Sequence, residues 1–125
     1  MRLKERSQSR THVSKEDIKA GLRKLGLKQG DLLGVHSSLS SFGYVEGGAE
    51  AVIDVLFEVV GERGAIVMPT HSANLLEVQR TPEEIAMGVA WLYKILPYNP
   101  TETPCTTGLI PETFRKRKLV IRGSH

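Results

Sequence analysis

Apolar residues recur along this chain with helical spacing in some stretches and as short unbroken runs in others. Ser14 is followed three positions on by Asp17, and Ile18, Leu22 and Leu25 then recur at offsets of four and three before Gly26. A hydroxyl and a carboxylate at that spacing can each satisfy a free N–H of a first helical turn, so the pattern predicts a short amphipathic helix. Gly30-Asp31 breaks it. Leu32, Leu33, Gly34, Val35 and His36 form a run too short for three helical turns and predict a buried strand ending near His36. Ser37 to Gly43 is a serine-rich loop. Behind Gly47-Gly48, residues Ala51, Val52, Ile53, Val55, Leu56, Val59 and Val60 predict a second, more deeply buried helix. Gly61 and Gly64 close it, and Ala65-Ile66-Val67-Met68 predicts a further strand, stopped by Pro69, which has no N–H to give a ladder.

Strand, helix, strand is the order of a parallel pair with its crossover, so residues 31–68 read as a βαβ unit. The fold class expected is α/β: an open, mainly parallel sheet with βαβ units flanked by helices. Clefts of such sheets lie at the carboxyl ends of the strands, which sets His36-Ser37-Ser38 beside Pro69-Thr70-His71-Ser72. Further on, Thr81 as cap, Pro82 at the first position and two acids behind it predict a helix that Ile85, Val89, Leu92 and Leu96 continue to Pro97. Pro97, Pro100 and Pro104 predict an extended loop, Glu112 to Lys116 a helical turn behind Pro111, and Leu119-Val120-Ile121 a last strand.

Composition narrows the class. A chain of 125 residues with 40% apolar side chains has room for one core and one domain. Its single cysteine, Cys105, cannot form an internal disulfide, which fits a reducing compartment and a cytoplasmic location. The longest apolar run is far below the ~20 residues that cross a bilayer, so no membrane association is expected. Lys and Arg exceed Asp and Glu by 17 to 14, and the excess gathers at the ends. Residues 1–13 read as a polar, basic leader, and residues 14–125 as the folded part. The cluster Arg115 to Lys118 with Arg122 can attract phosphates or be a solvated end. Nucleic acid is not an expected partner, because Phe42, Phe57 and Phe114 form no stacking platform between the basic ends.

Candidate chemistry gathers at the two strand ends. Ser37, Ser38, Ser40 and Ser41 follow a strand and precede a helix, where hydroxyls and backbone N–H groups favour negative charge. A phosphate or a thioester tail fits such a loop, as does the plainer role of capping the helix. Neither a Gly-x-Gly-x-x-Gly fingerprint nor a phosphate-loop lysine is present, and no Gly-x-Ser-x-Gly elbow supports a serine hydrolase. His36 and His71 suit acid–base or ligand roles, or hydrogen-bonded packing. They lack the Cys or Asp neighbours of a metal site. Cys105 carries no sequence sign of an activated nucleophile.

Three stretches together resemble the aminoglycoside 3-N-acetyltransferase family. They are Val35-His36-Ser37-Ser38-Leu39-Ser40-Ser41-Phe42-Gly43 with Gly47-Gly48, then Val67-Met68-Pro69-Thr70-His71-Ser72, and finally Thr103-Pro104 through Gly108-Leu109-Ile110-Pro111-Glu112-Thr113-Phe114-Arg115 to Arg122-Gly123-Ser124-His125. The resemblance implies transfer of an acetyl group from acetyl-CoA to the 3-amino group of a 2-deoxystreptamine aminoglycoside, and hence antibiotic resistance, with some members acting on other amines. It also implies that His36, Ser37, Ser38, Leu39, Ser40 and Ser41 help hold the cofactor, with Thr70 and Ser72 lining the same cleft. Arg115 and Arg122 are expected on the cofactor phosphates. Family members are considerably longer, so the chain reads as a truncated, cofactor-side part of the domain. The resemblance implies that the histidine and carboxylate that deprotonate the acceptor amine come largely from the other part, which leaves the catalytic residues unassigned. A non-catalytic remnant or CoA- or nucleotide-binding module is the alternative. An unfinished sheet has an unpaired edge, so a homo-oligomer is a further expectation.

Overall fold

The computed structural model describes residues 11–73, 81–88 and 97–123. Its elements in chain order are β1 (His12–Val13), α1 (Lys15–Lys24), β2 (Leu32–Gly34), a 3-10 turn (Leu39–Phe42), β3 (Tyr44–Val45), α2 (Gly48–Val60), β4 (Ala65–Val67), α3 (Pro82–Ala86) and α4 (Leu109–Arg115). Two parallel pairs form: β1 with β3, and β2 with β4 in the register Leu32 to Ala65, Leu33 to Ile66 and Gly34 to Val67. The crossover from β2 to β4 carries α2, as the sequence pattern requires.

The core is built around α2, whose Ile53 and Val55 have no exposed surface. Such side chains each contribute about 1.5–3 kcal/mol by leaving water. Helix α1 packs on one side of α2 and α4 on another, and Ile18, Ile110, Phe114 and Met68 close the cluster. The rings of Phe57 and Phe114 stack at 6.0 Å between α2 and α4. Ion pairs flank these contacts: Lys15 to Asp54 at 2.8 Å, Lys19 to Glu58 at 2.9 Å, and Arg117 to Asp54 at 2.7 Å and to Glu50. All are at least partly open to solvent, so each adds little beyond orientation.

Local chemistry explains the element ends. Ser14 Oγ accepts from the Asp17 N–H at 3.2 Å while Asp17 Oδ2 accepts from the Ser14 N–H at 2.9 Å, the reciprocal cap expected from the sequence. Gly64 has no room for a side chain: a Cβ there would stand 2.8 Å from the Asp31 carbonyl oxygen and 2.6 Å from that of Val60. The four-residue turn from Val60 to Ala65 therefore packs its glycine directly against the end of α2 and the start of β2.

Four expectations are corrected. The strand β2 is not buried on both faces: Leu32 is 77% exposed and Val67, on the same face of β4 opposite Gly34, is 59% exposed, because α2 covers the face carrying Leu33 and Ile66. Leu25 is 80% exposed because α1 ends at Lys24, which leaves it off the apolar stripe as the C-cap. The helix expected from Pro82 to Leu96 ends at Ala86, and Gly88 turns the chain at φ 73°; residues 89–96 lie outside the described residues. Leu119-Val120-Ile121 is not a strand: Leu119 takes φ 70°, and the Val120 N–H donates back to Arg117 O in a turn. In addition, α4 starts at Leu109, with Pro111 in the first turn where no intrahelical N–H partner is lost. His12–Val13, the end of the stretch read as leader, is strand β1.

Candidate functional site: a cleft at two parallel strand ends

Because β2 and β4 are parallel and in register, the segments that follow them leave the sheet side by side, and the Val35 N–H extends the pairing to Val67 O at 2.9 Å. Val35, His36, Ser37, Pro69, His71, Thr107 and Pro111 line a small cleft there. Both histidines are exposed. The Ser37 hydroxyl is buried with no hydrogen-bond partner among the described residues. Ser38, Ser40 and Ser41 are exposed along the 3-10 turn, with Ser38 Oγ 3.2 Å from Ser40 Oγ, while Leu39 packs against the core. The serine loop thus divides: His36 and Ser37 face the cleft, and the later serines follow the turn away from its lining.

The third wall, Thr106 to Pro111, was not anticipated. Thr107 Oγ1 donates to Pro69 O at 2.8 Å, the Thr106 N–H to His71 O at 2.8 Å, and Ser72 Oγ to Pro104 O at 2.7 Å. Gly108 turns this loop into α4 at φ 124°, a conformation open to glycine. Two adjacent threonines before that glycine were the available sign, since loop hydroxyls commonly bind backbone carbonyls.

The two arginines assigned to cofactor phosphates are placed differently from each other. Arg115 is buried. Its Nε donates to Glu112 Oε2 at 2.6 Å, its Nη2 to Glu112 Oε1 at 2.5 Å, and its Nη1 to Thr101 O at 2.7 Å. Glu112 also accepts from the Cys105 N–H at 2.8 Å. The Arg115 fork, and after it the Cys105 N–H, hold the Glu112 carboxyl well below the usual carboxylate range, while the carboxylate raises Arg115. Arg115 therefore anchors the 101–105 loop to α4; like Arg122 it lies off the small cleft and on the lining of the broader groove beside it. Arg122 lies against the strand end itself, donating to Thr70 Oγ1 at 3.1 Å and to Ser72 Oγ at 2.8 Å. A broader groove adjoins the cleft at His71 and runs past Thr70, Ser72, Met68, Phe114 and Tyr98 to Ile121. No group of three or more His, Cys, Asp or Glu among the described residues is arranged to hold a metal ion. No helix there is long and apolar enough to cross a membrane.

A parallel crossover with a cleft at its carboxyl ends, lined by the hydroxyls of Ser37 and Thr107 between proline and valine surfaces, defines an α/β protein with the usual cleft position of an open sheet. The chain belongs to the aminoglycoside 3-N-acetyltransferase family, whose profile matches residues 35–125. It is 42% identical to the SPbeta prophage-derived aminoglycoside N(3')-acetyltransferase-like protein YokD of Bacillus subtilis strain 168, over 90% of this chain and 43% of that protein. It is 44% identical to aminoglycoside N(3)-acetyltransferase IX of Micromonospora chalcea, over 90% of this chain and 41% of that enzyme. The crystal structure of Bacillus subtilis YokD superposes with a TM-score of 0.76 at 39% identity, covering 94% of this chain and 46% of that one. The chain thus spans less than half the length of these relatives.

Proposed function

We propose that this chain supplies the cofactor side of an acetyl-CoA-dependent N-acetyltransferase acting on the 3-amino group of 2-deoxystreptamine aminoglycosides. The observation that carries the reading is the register of β2 with β4, which sets His36-Ser37 beside Pro69 and His71 in one cleft inside the matched region. Acetyl-CoA would bring the thioester whose acetyl group is transferred. The cleft suits the cofactor's neutral, amide-bearing arm: its walls are proline and valine surfaces with hydroxyls between them, and Ser37 has an uncommitted buried hydroxyl. Attack on a thioester needs an amine without its extra proton, hence a base within hydrogen-bond reach. Among the described residues, His36 and His71 are the titratable groups on the cleft lining.

The uncommitted Ser37 hydroxyl on the same lining equally suits a second reading, a CoA- or nucleotide-binding module without turnover. The reading extends to antibiotic resistance as the role, to the cytoplasm as the location, and to association of copies through the uncovered face of the β2–β4 sheet. A calorimetric titration with acetyl-CoA tests the shared part. Saturable binding, weakened about three- to tenfold by S37A, supports the cofactor cleft. Unchanged affinity in a folded S37A variant removes Ser37 from it. Release of free thiol on adding an aminoglycoside then separates the transferase from the binding module.

A further inference from the structure

A guanidinium carries five N–H donors and no acceptor. In Arg122 all five are directed at protein oxygens: Nε at Thr70 Oγ1 (3.1 Å), Nη1 at Pro100 O (3.4 Å) and Thr103 O, and Nη2 at Thr70 O (2.7 Å) and Ser72 Oγ (2.8 Å). The Tyr98 ring covers one face, its centroid 5.1 Å from the guanidinium carbon. An incoming phosphate would have to displace one of these bonds. We propose that Arg122 is a positioning residue that presents the Thr70 hydroxyl as a hydrogen-bond donor to a carbonyl oxygen of the ligand, and that it is not a phosphate ligand.

The hydroxyl inventory carries the argument. Ser72 Oγ accepts from Arg122 and donates to Pro104 O at 2.7 Å, so its proton is committed. Thr70 Oγ1 also accepts from Arg122, but its own proton has no acceptor among the described residues. A cation fixed on one of the oxygen's two lone pairs leaves that hydroxyl's proton free and suited to donate to a ligand acceptor. Thr70 adjoins His71, which lines both the cleft and the groove beside it. The matching group is a neutral carbonyl, such as the amides of a pantetheine arm or the acyl oxygen of its thioester. This assignment rests on the cofactor reading given above.

The test compares acetyl-CoA with S-acetylpantetheine, which lacks every phosphate, in calorimetric titrations of the 125-residue chain and of variants whose folding is checked by circular dichroism. Positioning predicts that R122A, R122K and T70V each weaken both ligands by about three- to tenfold, the loss of one hydrogen bond. T70S recovers most of what T70V loses, and R122A/T70V binds no worse than R122A alone. If R122A weakens acetyl-CoA alone and R122K restores it, Arg122 is a phosphate ligand and the proposal is overturned. Additive losses in the double variant overturn it in favour of a purely structural role. Wild-type affinity in T70V overturns it whether or not R122A folds. If the folded wild-type chain binds neither ligand, the cofactor reading itself fails, a result recognised before any variant is compared.

Discussion

Glu112 meets Arg115 through two hydrogen bonds, takes the Cys105 N–H and stands 3.1 Å from the Lys116 ammonium. Removing it strands a buried guanidinium with one carbonyl partner, so E112A is expected to lower unfolding stability by about 3 kcal/mol, read as a reduced urea midpoint at unchanged slope. The pH dependence follows from the same pair. Its folded carboxyl lies below the unfolded value of 4.5, so the contribution is complete above that pH and is lost as pH falls beneath it. Acid titrations of stability should show a shallower low-pH limb in E112Q than in the wild type. The sequence reading set Arg115 on the cofactor phosphates and did not pair it with Glu112, although their spacing of three on one helix was the available sign. The Arg122 contacts had no such sign: Thr70 and Ser72 lie 52 and 50 positions away, and a sequence shows a charge but not whether its donors are already engaged.

Elements with strong local signals were the readable ones. Both caps, Ser14 with Asp17 and Thr81 with Glu84, form the reciprocal bonds that their spacing encodes. S14A should cost about 1 kcal/mol, seen as a lower melting temperature. Helix α2 was legible from its nearly continuous apolar sequence, and I53A, which empties a fully enclosed position, should cost about 3 kcal/mol in denaturant titration. The two-residue strands β1 and β3 escaped notice because two residues show no period, and their pairing depends on a partner distant in sequence. Leu119-Val120-Ile121 had the composition of a strand but lacks the ladder. Side-chain bonds from Arg122 tie this stretch to the end of β4 instead.

At the scale of the molecule, the βαβ inference placed the cleft correctly because a crossover leaves few ways to arrange two parallel strands. Five of the seven lining residues, Val35 to Ser37 with Pro69 and His71, were therefore legible from the sequence; the Thr106–Pro111 wall was not, since loop docking follows no period. Among the described residues, one face of the β2–β4 sheet leaves Leu32 and Val67 exposed. Wild-type chain should sediment faster as its concentration rises, while L32K/V67K stays at the monomer rate, because a charged face opposes stacking. The register of β2 with β4 has a last consequence, for how ligands are found. Its two strand ends cannot separate without disturbing α2, the centre of the core, so whatever grips both ends holds the whole molecule folded. A compound present at a hundredfold excess over its Kd would add about 2.7 kcal/mol to stability, enough for a rise in melting temperature to serve as a screen for acyl donors and acceptor amines alike.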